Sequence, residues 1–150
     1  MSDSDLIDLY SGRILELASD IPLAVRLDHP QGTARKRSPL CGSTITVDLN
    51  MEDDRITAFG QDVKACALGQ AAASVIGAQV VGTTRAVVEN ARTQLEAMLK
   101  QDGPAPDAPF DELKVLMPAR GFKNRHASIM LCLEATCAAM DAAAENTGQN

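Results

Sequence analysis

Two cysteines flank a predicted strand pair, and they are the residues here best placed to do chemistry. Cys41 lies in Pro39-Leu40-Cys41-Gly42-Ser43 and Cys66 in Lys64-Ala65-Cys66-Ala67. Between them Ile45, Val47 and Leu49 alternate with Thr44, Thr46 and Asp48, the period-2 pattern of a half-buried strand. A second arm runs from Arg55 with Ile56, Ala58 and Val63 as its apolar marks, and the acidic run Glu52-Asp53-Asp54 suits the loop between the arms. Antiparallel pairing of the arms would bring Cys41 and Cys66 together. Two thiolates at neighbouring strand ends suit a soft metal: zinc, ferrous iron or an iron–sulfur cluster. Spacing alone fits two buried structural cysteines equally well. Gly42 would let the backbone take unusual angles beside a bound species. Cys66 would open a helix, where the dipole favours an anion, with Lys64 and either Lys36 or Arg37 adding positive charge.

The rest of the chain must hold that hairpin. Its 150 residues suit one domain, read as 1–150 with polar tails at 1–4 and 146–150. Aromatic residues make up only 3%, so the core must be aliphatic and alanine-rich, which favours close helix packing. Ser4 or Asp5 would cap a first helix ending at Asp20-Ile21-Pro22. Leu23–Leu27 reads as a short edge strand, His29–Gly32 as a turn and Thr33–Ser38 as a basic connector. A helix rich in alanine and glycine should run from about Cys66 to Val80. Thr83 or Thr84 would cap another to about Lys100, burying Val87, Val88, Ala91, Leu95, Met98 and Leu99. The Pro-rich stretch 102–109 reads as a loop, and Phe110–Leu116 as one or two helical turns that break at Pro118–Gly121. Asn124 would cap the last helix, about His126–Ala144, whose apolar positions include Ile129, Leu133, Cys137 and Met140. The order of elements predicts an α+β fold: a small antiparallel sheet of two to three strands, packed on one face by helices.

Ser38-Pro39-Leu40-Cys41-Gly42, the hairpin, and Ala65-Cys66-Ala67-Leu68-Gly69-Gln70-Ala71-Ala72-Ala73-Ser74 resemble the IscU/NifU-type (SufU-like) iron–sulfur cluster scaffolds. The resemblance covers roughly residues 5–144. It implies a protein that is not an enzyme, takes sulfur from a cysteine desulfurase, assembles a transient cluster on three cysteines and hands it on. Two departures are visible. Ser43 stands where the family has an aspartate that aids release. In Arg125-His126-Ala127-Ser128 the family's third cysteine is replaced by Ser128, or by Ala127 in an alignment shifted by one residue. Cys132 lies one helical turn beyond Ser128, about 6 Å along the axis, and is a candidate replacement thiolate or a core residue. His126, just before Ser128, is a candidate fourth ligand or a surface histidine at a helix start.

The expected cargo is therefore an iron–sulfur cluster or zinc held by Cys41 and Cys66, with Ser128, His126 and Cys132 as further candidates; binding no metal is the other outcome. The expected partners are a cysteine desulfurase and chaperone or cluster-acceptor proteins. Two rival readings are a non-metal interaction or regulatory protein of the assembly machinery and a persulfide sulfur carrier. A net charge of −6 argues against sequence-independent nucleic-acid binding. No apolar run approaches the ~20 residues of a membrane span, no signal-peptide pattern opens the chain, and four cysteines in no disulfide pattern suit the reducing cytoplasm. Hydrolase triads, phosphate loops and Cys-x-x-Cys zinc pairs are absent from the sequence.

Overall fold

The computed structural model describes residues 11–39 and 42–146. The predicted hairpin is its centre. Strand β2 (Thr44–Glu52) pairs antiparallel with β3 (Arg55–Lys64), with Ile45 opposite Val63 and Leu49 opposite Phe59. Asp53 and Asp54 make the turn with φ of 51° and 65°. Positive φ at both central residues matches the twist of the strands, and aspartate visits that region more readily than most residues. Ile45, Val47 and Leu49 are fully buried beneath the helices.

Helices α1 (Gly12–Ser19), α2 (Ala67–Gln79), α3 (Arg85–Lys100), a 3-10 helix (Asp111–Gly121) and α4 (Lys123–Asn146) complete an α+β fold. Helix α4 packs on β2, α2 and α3, and α2 packs in turn on α1. Small residues permit this closeness: Ala71, Ala72 and Ala73 of α2 are all fully buried. Of the two predicted caps, Thr84 is the one that caps α3, its hydroxyl accepting from the Val87 N–H. Helix α4 is long and apolar enough to cross a membrane by composition, with a mean hydropathy of 1.4 over its best stretch. The prediction that no run comes near that length therefore needs correcting. Here 67% of that stretch is buried inside the protein, so α4 serves as its core helix.

Several boundaries differ from the sequence expectation. Leu23–Leu27 is not a strand. Leu23 has φ 57°, and its carbonyl accepts from the N–H groups of both Val25 and Gln61. The loop is pinned by buried Asp48, which accepts from Arg26, Thr33 and the Leu27 N–H. The third strand is instead β1 (Gly32–Arg37), within the predicted turn and connector, and it pairs antiparallel with β2. Helix α4 packs so closely on β1 that any side chain at Gly32 would strike the Ala139 carbonyl. The 3-10 helix continues through Pro118 rather than breaking there. Helix α4 begins at Lys123, so Asn124 lies inside it and does not cap it. Val87 is 36% exposed rather than buried. Among the described residues α1 begins at Gly12, with the Ser11 hydroxyl accepting from the Ile14 N–H. The predicted cap at Ser4 or Asp5 lies outside them.

Candidate functional site

Cys66 is the N-cap residue of α2, and its side chain makes no capping bond to the helix. The thiol is thus directed elsewhere, at the first turns of α4. Its Sγ lies 3.4 Å from the Ser128 Oγ, and Ser128 donates to the Ser43 hydroxyl at 3.1 Å. Three elements meet here: the end of β3 through Cys66, the start of β2 through Ser43, and α4 through Ser128. Ser43 and Ser128 are buried, whereas Cys66 is half-buried. Ser128, not Ala127, is the α4 residue that meets Cys66 and Ser43 at this corner.

Gly69 makes the corner possible. A Cβ there would sit 2.6 Å from Ser128 Oγ and 2.9 Å from Ala65 Cβ. Nothing larger than hydrogen leaves α2 and α4 this close at that level. Gly42 takes φ 72°, as its position before the strand suggested, and its N–H donates to the Ser38 carbonyl. Cys41 and its expected proximity to Cys66 lie outside the described residues.

The structure does not bring the other candidates to the corner. His126 is buried and turns Nε2 to the carbonyls of Ala119 and Arg120, at 2.9 and 3.1 Å. With two carbonyl acceptors that nitrogen must carry the proton, which leaves Nδ1 as the lone-pair nitrogen of the neutral ring. Its ring borders a cleft lined by Leu99, Lys100, Asp102, Arg120 and Lys123. Cys132 is fully buried and donates to Gln61 Oε1 at 3.4 Å. Burial pushes its thiol up to about 12, so it stays protonated at neutral pH. Cys137 is also buried, and burial again raises its thiol. Of the charged residues expected near Cys66, Lys64 is exposed at the end of β3.

Among the described residues no three His, Cys, Asp or Glu side chains gather into a metal-binding group. Among the described residues the donors at this corner are one thiol and two hydroxyls. Sequence reasoning missed that the two serines bond to each other. Each was visible only as a departure from a pattern.

No family model matches the chain, and no curated protein does either. Solved structures do. The crystal structure of a nitrogen-fixing NifU-like protein (N-terminal) from Brucella abortus superposes with a TM-score of 0.92 at 41% sequence identity. That match covers 94% of this chain and 98% of the other. A putative iron–sulfur cluster assembly scaffold protein for the SUF system, from the thermophile Fervidobacterium islandicum AW-1, shares the fold with a TM-score of 0.77 at 16% identity. It is matched over 86% of this chain and 94% of its own.

Proposed function

This chain belongs to the family of NifU-like N-terminal domains, and we propose that it is an iron–sulfur assembly scaffold with a reduced ligand set. Cys66 and Cys41 are the two thiolates proposed to hold its cargo, in the reducing cytoplasm, with sulfur supplied by a cysteine desulfurase. The observation that carries this reading is the Cys66–Ser128–Ser43 corner, where a half-buried thiol opens a helix and makes no capping bond. A thiolate suits iron or zinc, and a serine hydroxyl is a harder, poorer donor. Ser128 therefore keeps the shape of a third ligand position without its affinity. Ser43 supplies a hydroxyl where a carboxylate would carry charge. The expected result is a weaker and shorter-lived hold on the cargo than three cysteines give. His126 and Cys132 are left out of the ligand set, because His126 borders a different cleft and Cys132 is sealed in the core.

Anaerobic reconstitution with ferrous iron and sulfide tests this. Visible absorption from thiolate-bound iron should form in the parent, vanish in Cys66→Ala and Cys41→Ala, and persist in Cys132→Ala. Ser128→Cys should bind more iron and hold it longer. If the parent and Ser128→Cys bind no more iron or zinc than Cys66→Ala, the protein is not a metal scaffold. It would then be an interaction protein or a sulfur carrier.

The carrier reading has its own support, since Cys66 is the least buried thiol among the described residues. The Cys66 thiolate would attack the terminal sulfur of a desulfurase persulfide. A new S–S bond forms on Cys66, the enzyme's S–S bond breaks, and the enzyme cysteine leaves as thiolate, with no net oxidation. Alkylation trapping after incubation with a desulfurase and cysteine should add one sulfur atom to the Cys66 peptide. Absence of that adduct eliminates the carrier reading.

A further inference from the structure

We propose that the free edge of β1 is a docking strip for an extended acidic segment of a partner protein, which joins the sheet as a fourth strand. The inference goes beyond the scaffold reading, because it holds whether Cys66 carries metal, sulfur or nothing.

The two edges of the sheet are treated differently. The β3 edge is covered at two places: the Gln61 N–H donates to the Leu23 carbonyl, and the Ile56 N–H donates to the Thr83 carbonyl beside the Arg55–Thr84 bridge. Among the described residues the β1 edge is open. The Ser38 N–H donates to the Ser43 carbonyl, which sets the phase of the ladder. In an antiparallel pair every second residue directs its backbone groups to the partner strand. Gly32, Ala34 and Lys36 therefore face β2, while Thr33, Arg35 and Arg37 direct N–H and C=O outward. Among the described residues none of these outward groups has a hydrogen-bond partner.

The same residues carry charge. Lys36, opposite Ile45, lies on the helix side of the sheet, where its charge is felt by Glu134 of α4. Arg35 and Arg37 are exposed and lie on the opposite face, alongside Thr46 and Thr44. Arg37, Thr44 and Lys64 form one cross-strand row, and Arg35, Thr46 and Asp62 form the next. Three cations thus meet one acid on this end of the open face. Neither arginine, nor Lys64, is in an ion pair among the described residues. The other end of that face is already covered, since a side chain at Gly60 would strike the Val25 carbonyl. In a chain of net charge −6 this is a local reversal of sign.

Charge and edge together select the occupant. A second β1 would set arginine opposite arginine, which is unfavourable across a ladder, so the edge resists self-pairing. A strand with acids at every second position would place them beside Arg35 and Arg37 while its backbone meets the outward groups. A nucleic acid would use the charges and leave the backbone groups unpaired. Beyond Arg37 the chain continues through Pro39 and Gly42 to Ser43, so a docked segment runs toward the Cys66 corner.

The experiment is NMR titration of the full chain with the capped peptide Glu-Val-Glu-Val-Glu-Val at millimolar concentration. The amides of Thr33, Arg35 and Arg37 should shift and gain exchange protection, with Ala34 and Lys36 changing less. Affinity should fall at least tenfold in Arg35→Glu/Arg37→Glu, and several-fold in Arg35→Gln/Arg37→Gln if the Glu variant is misfolded. Thermal midpoints identify which variants are folded. The proposal is overturned if the three outward amides do not move. It is also overturned if a Lys-Val peptide or oligothymidylate moves them equally, or if both double variants bind like the parent.

Discussion

Cys66 and Cys132 sit on packed helices, α2 and α4, yet their surroundings differ in kind. Cys66 is half-buried at a helix start and meets two hydroxyls. Cys132 lies one turn past Ser128 and is fully buried against the Gln61 amide. Gln61 is itself held by carbonyl acceptors at Pro22 and Ala73, so the second thiol belongs to a closed network tying β3 to two helices and a loop. One helical turn thus separates an accessible site from the core. What differs is not the chemistry of sulfur but the access of water, which decides whether a thiolate can exist.

The largest expected effect that could break this comparison is in reactivity. A thiol moved from 9.0 to about 12 holds roughly a thousandfold less thiolate at neutral pH. Timed alkylation of the metal-free protein, with peptide mapping, should label Cys66 first, and Cys132 only as the fold opens. Cys137 should also lag, because burial raises it too. If Cys132 labels before Cys66, the reactive centre is elsewhere.

A smaller effect sharpens the geometric side. Gly69→Ala adds a methyl where Ser128 Oγ and the Ser128 carbonyl would lie 2.6 and 3.1 Å away. Overpacking should cost about 1–3 kcal/mol. The helix-propensity gain of roughly 1 kcal/mol offsets only part of that. Adding Ser128→Ala should recover some stability by removing the Oγ clash, though not the contact with Ala65. A chemical-denaturation series reads this directly, and strict additivity of the two changes would show that the corner is not tightly packed.

The smallest effect concerns a buried group that stays charged, in contrast to Cys132. Burial pushes the Asp48 carboxyl up, but bonds from Arg26, Thr33 and the Leu27 N–H outweigh this and leave it below its usual value. A carboxylate depressed on folding adds stability above its unfolded value of roughly 3.9 and loses it as pH falls through the folded value. Stability should therefore decline on acidification below about pH 5. Asp48→Asn should flatten that decline and loosen the Leu23–Leu27 loop. Unchanged acid dependence in thermal melts would assign it to other carboxylates.

The sequence by itself determined the hairpin, because alternation at Ile45, Val47 and Leu49 leaves one register that buries all three. It also placed the start of α2 near Cys66 and narrowed the cap of α3 to Thr83 or Thr84, the latter being a local signal of a helix terminus. It did not reveal β1. Gly32-Thr33-Ala34-Arg35-Lys36-Arg37 has no apolar period, and it is a strand because β2 offers it an edge and α4 accepts small residues beneath it. The edge-strand reading of Leu23–Leu27 failed because Asp48, distant in sequence, holds that segment as a loop. Only the tertiary structure decided that Ser128 rather than Ala127 meets Cys66, that His126 turns to carbonyls, and that Cys132 is sealed. Each outcome depends on which side chain of another element arrives at the same place, and local sequence periodicity carries no record of that meeting.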